Sequence, residues 1–325
     1  TGAMMEHMSW FDEGTKRQRR RRLLIIIVLA WLLSSLYARF KPLPPGISVA
    51  STAQAVPAEQ VRLFADITGV SEGGTRFSNQ EILDAVIAIV KGARRFVVLD
   101  FFLFNQFRGT VQTSGRDVTQ ELLAALLLQR RATPPVQIVL ITDPINTVYG
   151  GDRSAELEQL RQAGVAVVTT KLPALRDPNP MYAGPWRLAV RWFGNQAGGR
   201  LMPHPFQAGR RVSLRSWLNL LNFKANHRKV IMADRGDDVV SLVTSWNPHT
   251  GSSAHTNLAV EFVNGPWREL IASEQAVAAF SGHPFTVNTA GLGQASPAAA
   301  TSTPSVQVVT EGKIAQAIEA ALSSV

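Results

Sequence analysis

The sequence predicts an α/β fold: a layered sandwich with a mixed, mostly parallel sheet flanked by helices, preceded by one transmembrane helix. Three observations carry that prediction. Strand and helix signals alternate from Val61 onward, which is the pattern of helices covering a sheet. Several of the strands are near-continuous apolar runs, as expected of strands buried on both faces. The apolar run Leu23 to Ala38 follows a cationic cluster and is about the minimum length for crossing a bilayer.

Composition narrows the chemistry. The 325 residues are 46% apolar, enough for a sizeable core. There are no cysteines, which excludes disulfides, thiolate metal sites and cysteine nucleophiles. The formal charge is +9, unevenly spread. From Lys171 to Lys229 there are eleven Lys or Arg residues against one acid, Asp177. Such a basic surface suits phospholipid head groups or nucleic-acid phosphates.

The elements follow in order. The opening "TGAM" reads as an expression scar, and residues 1–22 as scar plus a basic cytoplasmic segment ending in Arg17 to Arg22. Residues 23–40 read as a transmembrane signal anchor; the positive-inside rule leaves everything after it on the far side of the membrane. The Pro/Ala/Ser-rich stretch 41–59 reads as a linker. The first α/β domain spans 60–285. It begins with the strand "VRLF". "SNQE" (Ser78, Glu81) then reads as a capping box opening the helix "EILDAVIAIVKGA". "RFVVLDFFLF" and "VQIVLIT" are buried strands separated by a helix with Asp117 at its cap, and "SAELEQLRQAG" is a helix closed by Gly164 before the strand "VAVVTT". Residues 171–222 break the rhythm with an insert rich in Trp, Pro, Gly and Arg. Aromatic rings interleaved with cations suit a membrane interface, the rings at head-group depth and the arginines on lipid phosphates. The substrate- or membrane-binding candidates are Arg187, Arg191, Trp192, Arg211, Arg215, Trp217, Lys224 and Arg228. Residues 286–305 read as a second linker, and 306–325 as the start of a truncated second repeat, because its Val-rich strand and helix echo residues 61–93.

The chemistry lies in "NFKANHRKVIMADRGDDVVSLVTSWN", residues 222–247. His227, Lys229 and Asp234 form an H-x-K-x4-D motif at the head of a strand. Residues i and i+2 share a strand face, so His227 and Lys229 point the same way, as do Ser245 and Asn247 on the following, antiparallel strand. A hairpin brings these four to one patch. Lys229, Asn247 and Ser245 suit a phosphoryl group gaining charge. His227 suits attack on phosphorus or protonation of a leaving alcohol. Glu261, an acid in the next apolar strand, is a candidate to orient the imidazole. Asp234, at the turn, suits a bracing role. Neither a carboxylate cluster nor paired His spacing points to a metal, and no cofactor is expected.

At these residues the chain resembles the phospholipase D superfamily, whose signature is H-x-K-x4-D followed by a Ser-x-Asn segment, here "TSWN". "NFKANHRKVIMAD" is more narrowly similar to the bacterial cardiolipin synthase branch. The resemblance implies a phospholipase D-like sandwich and two-step phosphatidyl transfer through a phosphohistidine. His227 would be nucleophile or general acid, Lys229 and Asn247 would hold phosphate oxygens, Ser245 would support them, and Glu261 would orient the histidine. It further implies a phospholipid substrate, a single-pass location in the bacterial inner membrane with an extracytoplasmic catalytic domain, and no nucleic-acid partner. A phosphodiesterase of the same superfamily acting on nucleic acid, and a non-catalytic lipid-binding relative, share the motif. The family builds each site from two motifs. His204, His249, His255 and His283 lack Lys at i+2, so the second half is expected beyond residue 325 in the native chain or from a homodimer partner.

Overall fold

The computed structural model describes residues 2–109, 116–193, 199–294 and 304–323, with side chains described from Thr15 on and Arg76 excepted. The chain opens with a long helix, α1 (Gly2–Phe40). The sheet strands are β2 (Val61–Val70), β3 (Arg76–Asn79), β4 (Phe96–Phe101), β5 (Gln137–Thr142), β6 (Ala166–Thr169), β9 (Lys229–Arg235), β10 (Asp238–Thr244) and β11 (Asn257–Val263). Short strands β1 (Gln54–Ala55), β7 (Met202–Pro203), β8 (Arg211–Val212) and β12 (Ser305–Val306) pair outside this sheet. The other helices are α2 (Ile82–Gly92), α3 (Val118–Ala132), α4 (Ala155–Gln162), α5 (Pro180–Leu188), α6 (Leu214–Asn219), α7 (Trp267–Phe280) and α8 (Ile314–Ser323).

The eight strands lie in the order β3-β2-β11-β10-β9-β4-β5-β6. The sheet is mixed, but the expected parallel majority is absent. Five neighbouring pairs are antiparallel and two are parallel. The two parallel pairs are those joined through α3 and α4. The hairpins β2–β3 and β9–β10 leave no room for a crossover helix, so the chain reverses. Apolar runs report that a strand is buried; they carry no information about its direction.

Side-chain alternation splits the core into two layers. Val97, Leu99, Ile138, Leu140, Ile231 and Ala233 pack under α2, α3 and α4. Phe96, Val98, Val139, Val230 and Met232 pack under α7, whose Trp267, Leu270 and Val277 are buried. Burying each of these large side chains contributes roughly 1.5–3 kcal/mol.

Several local expectations change. The "SNQE" capping box does not form: Ser78 lies in β3, bonded to Thr68 at 2.9 Å, and α2 starts later, its Ile82 N–H taken by Asp66 at 3.0 Å. The linker 41–59 is a packed strap, with Ile47 and Val56 fully buried. The segment expected to open a second repeat, 306–325, pairs with this strap: Gln54 faces Val306, and Ser51 N–H donates to Val308 O. The folded body thus extends past 60–285 at both ends. Of the 286–305 linker, the part up to 294 packs, with Leu292 buried and Gly293 O beneath Trp267 Nε1; 295–303 lie outside the described residues, as do scar residue 1, insert residues 194–198, and 324–325. The insert 171–222 carries α5, the β7–β8 ribbon and α6.

One helix segment among the described residues, Thr15–Phe40, is long and apolar enough to cross a membrane. Its second half packs on α5. Trp31 Nε1 donates to Met181 O (2.9 Å), Ser34 Oγ to Gly184 O (3.2 Å) and Asp177 N to Ala38 O (3.0 Å).

Candidate active site

The motif loop is fixed before the histidine is reached. Asn226 is buried. Its N–H donates to Asp143 (2.7 Å), and its side-chain amide reaches both Asp100 oxygens (3.0 and 2.9 Å) and Thr170 Oγ1 (3.2 Å). One residue thus ties the loop to the ends of β4, β5 and β6. Behind it, Arg228 donates to Glu274 (3.0 Å), Ser273 (2.8 Å) and Ile47 O (3.0 Å). Burial, then the nearby Glu274, hold the Asp100 carboxyl well above the usual range, against the pull of Arg228 and Asn226. Burial lifts Asp143 to about 7, opposed by the N–H groups of Ile145 and Asn226.

His227 and Lys229 meet at Phe102. The imidazole and phenyl centroids are 4.7 Å apart, and Lys229 Nζ lies 5.4 Å from the same ring. Lys229 is buried and donates to His227 O (2.9 Å), which leaves further ammonium N–H groups for a ligand. Across the hairpin, Asn247 Oδ1 accepts from Leu103 N (3.0 Å), so its amide N–H2 is oriented, and among the described residues it donates to no partner. His227, Lys229 and Asn247 therefore converge on the Phe102–Leu103 turn that follows β4. Ser245 is exposed at the same edge; it donates to Asn257 Oδ1 (3.0 Å) and accepts from Leu258 N (3.1 Å).

The electrostatics favour a neutral imidazole beside a cation. Although His227 is exposed, neighbouring atoms strip water from part of its ring, and this desolvation, then Lys229, lower its pKa below the ordinary histidine value. Burial lowers Lys229 to about 8, with Asp100 opposing. Among the described residues, no group takes a hydrogen bond from or gives one to the His227 ring, and no three His, Asp or Glu side chains cluster as a metal site.

Two of the sequence candidates sit elsewhere than expected. Glu261 does not orient His227. It is buried beside Arg235 at 3.4 Å and lines a cavity with Asp84 and Asp234. Arg235 ends β9, six residues beyond Lys229, or about 20 Å along the strand. Strand register, which an apolar run does not reveal, decides this: Glu261 faces Leu242 and Arg62. Arg228 does not present a free guanidinium to lipid, because it is committed to the Glu274 network.

The remaining candidates divide. Asp234 is buried and its carboxylate accepts from the backbone N–H groups of Arg94, Arg95 and Phe96 at 2.8–2.9 Å. Arg187 and Lys224 bind Asp177, each at 2.7 Å. Arg191 lies over the exposed Trp192, and Arg215 donates to Arg191 O (3.4 Å). Arg211 is spent on the carbonyls of Arg200 and Leu201 in the β7–β8 ribbon. Trp217 is half-buried in α6.

Three residues at the site escaped sequence reasoning. Asp100 had a signal: it is the lone acid in an apolar strand. Phe102 and Asn257 had none, since one looks like core and the other like a strand-start asparagine.

No protein-family profile matches the chain, and no curated protein matches it. Among solved structures it is similar to Nuc from Salmonella typhimurium, described as a phospholipase D family member. That match has 12% identity and a TM-score of 0.34, covering 66% of this chain and 90% of the other. NucT from Helicobacter pylori matches at 11% identity and TM-score 0.33, over 66% and 93% of the two chains. Phosphatidylserine synthase from Haemophilus influenzae matches at 11% and 0.33, over 65% of this chain and 34% of that one.

Proposed function

We propose that this chain is a membrane-anchored phosphodiesterase of the phospholipase D kind, transferring a phosphatidyl group through a phosphohistidine on His227. The observation that carries the reading is the convergence of His227, Lys229 and Asn247 on one turn at the sheet edge. A neutral nucleophile, a cation and an amide donor are what a phosphodiester requires as its oxygens gain charge.

In the first step a His227 ring nitrogen bonds to phosphorus and the P–O bond to the head-group alcohol breaks. The departing alkoxide takes a proton from a general acid. In the second step an acceptor hydroxyl attacks phosphorus, the P–N bond breaks, and the acceptor's proton returns to that acid. Water as acceptor gives phosphatidic acid; a second phosphatidylglycerol gives cardiolipin. Lys229 and the Asn247 amide hold the phosphate oxygens in both steps. The lowered His227 pKa favours the nucleophilic role over the acid one. The acid belongs, on this reading, to a second H-x-K-x4-D element, from a longer native chain or a second copy. The exposure of His227 and Ser245 supports such an open half-site.

The span Thr15–Phe40 supports a single-pass location. The cations before it favour a cytoplasmic N-terminus and a catalytic domain outside a bacterial inner membrane. The test is to incubate the purified protein in mixed micelles with phosphatidylglycerol and look for an acid-labile phosphatidyl adduct on His227 by mass spectrometry. Adduct lost in His227→Ala is expected. Turnover unaffected by that substitution would sink the proposal.

A further inference from the structure

We infer that the cavity between α1, α5 and α6 is a second phosphate-binding pocket, which seats the head group of an anionic phospholipid entering from the bilayer. Resting on the phosphatidyl-transfer reading, this is the seat of the acceptor lipid.

The cavity holds about 620 Å³, the size of a small-ligand site. That is room enough for a glycerophosphate head group. Its charge is one-sided. Arg187, Arg191, Arg215 and Lys224 line it with one carboxylate, Asp177. Asp177 is shared by Arg187 and Lys224 at 2.7 Å each. Arg191 and Arg215 form no ion pair among the described residues: the former stacks on Trp192, the latter reaches a backbone carbonyl. Two guanidinium groups at one mouth, with no anion of their own, fit the oxygens of a phosphodiester.

The ligand's source follows from the depth of the pocket. Tyr37 of α1 is part of its wall, together with Ala183 and Trp186 of α5. The span's apolar face begins at Leu23, and at 1.5 Å per residue Tyr37 stands about 21 Å above it. Contacts of α1 with α5 and with the segment leading into it run from Trp31 to Ala38, the upper half of the span. The pocket therefore lies toward the outer end of the span, three residues before α1 ends at Phe40. Met181, Leu188, Trp192 and Phe193 on the same insert are exposed, extending the apolar surface of α1 toward the lipid. Lys224 and Asp177 also line the neighbouring opening that contains His227, so the two sites share a wall.

The test measures binding of dihexanoyl phosphatidylglycerol by calorimetry to the full chain in nonionic detergent. Lys229→Met serves as background, because it removes the phosphate ligand at the motif; Asn247→Leu serves as a second background should Lys229→Met misfold. We expect one bound lipid in that background, weakened tenfold or more by adding Arg191→Gln and Arg215→Gln. Dihexanoyl phosphatidylcholine should bind at least tenfold more weakly. Inorganic phosphate and glycerol 3-phosphate should compete poorly. No binding in either background, or affinity unchanged by the two glutamines, overturns the pocket. Glycerol 3-phosphate competing as well as the lipid overturns the bilayer source. Phosphohistidine on His227 is scored separately in the Arg191→Gln/Arg215→Gln chain; its absence even in the parent sequence counts against the phosphatidyl-transfer reading and not against the pocket.

Discussion

Asn226 donates its side-chain amide to both carboxylate oxygens of Asp100, at 3.0 and 2.9 Å. The pair joins residues 126 positions apart and sets where the next residue, His227, leaves the core. Catalytic geometry here is inherited from a buried polar bond, which low dielectric makes both strong and costly to break.

Replacing Asn226 with Ala therefore removes donors from a buried acid. We expect a stability loss of about 2 kcal/mol, the usual cost of leaving a buried polar group unpaired. Phosphohistidine formation should fall at least tenfold as the loop loosens. Urea denaturation and adduct mass spectrometry read the two effects; full adduct yield in a destabilised variant would show that the bond serves stability alone.

Activity should depend on pH in a bell. The nucleophile is the neutral imidazole, so the rate rises as His227 loses its proton, below the ordinary value of about 6.5 because its pKa is lowered. Lys229 binds phosphate only when protonated, so the rate falls as pH passes about 8. Lys229→Arg keeps the charge and should move the basic limb upward by a unit or more. A basic limb that stays in place in that variant would assign it to another group.

Asp234 answers three backbone N–H groups where α2 passes into β4. Asp234→Ala strands all three, the Phe96 N–H in a fully buried position and the other two part-buried, and we expect a loss of about 3 kcal/mol. The thermal midpoint should drop by many degrees, while any folded fraction keeps its adduct chemistry. An unchanged midpoint contradicts the bracing role.

Glu261→Gln should leave phosphohistidine formation within about twofold of the parent, because the buried carboxylate pairs with Arg235, about 20 Å along β9 from Lys229. A hundredfold loss would return Glu261 to the site. The contrast shows what was legible. Apolar runs and turn residues disclosed most strands, the β9–β10 hairpin and the polar set His227, Lys229, Ser245 and Asn247, since these depend on neighbours within a few positions. Sheet direction, the partner of Glu261 and the Asp100–Asn226 bond depend on residues far apart in the chain. They emerge only when register is set. The packing of the strap 41–59 against residues 305–310 was hidden for the same reason: Pro and Ala look like a linker until something covers them.

The anchor should be rigidly joined to the domain rather than tethered. A Cβ placed on Gly184 would lie within 3.0 Å of Trp31 Cδ1 and closer still to Ser35 Oγ, so the helices touch with no spare space there. The chain has no cysteine of its own, which makes an engineered pair clean to read. Ser35→Cys with Gly184→Cys should oxidise to a disulfide in native membranes, protecting both thiols from maleimide and keeping residues 1–40 attached after cleavage within 41–59. Gly184→Cys places a Cβ against Ser35 Oγ and Trp31, where something must shift, so Ala38→Cys with Asp177→Cys provides a second pair, whose backbones already meet through Asp177 N and Ala38 O at 3.0 Å. Free thiols in both pairs would mean that α1 moves independently of α5, and the head-group pocket would then lose the wall contributed by Tyr37.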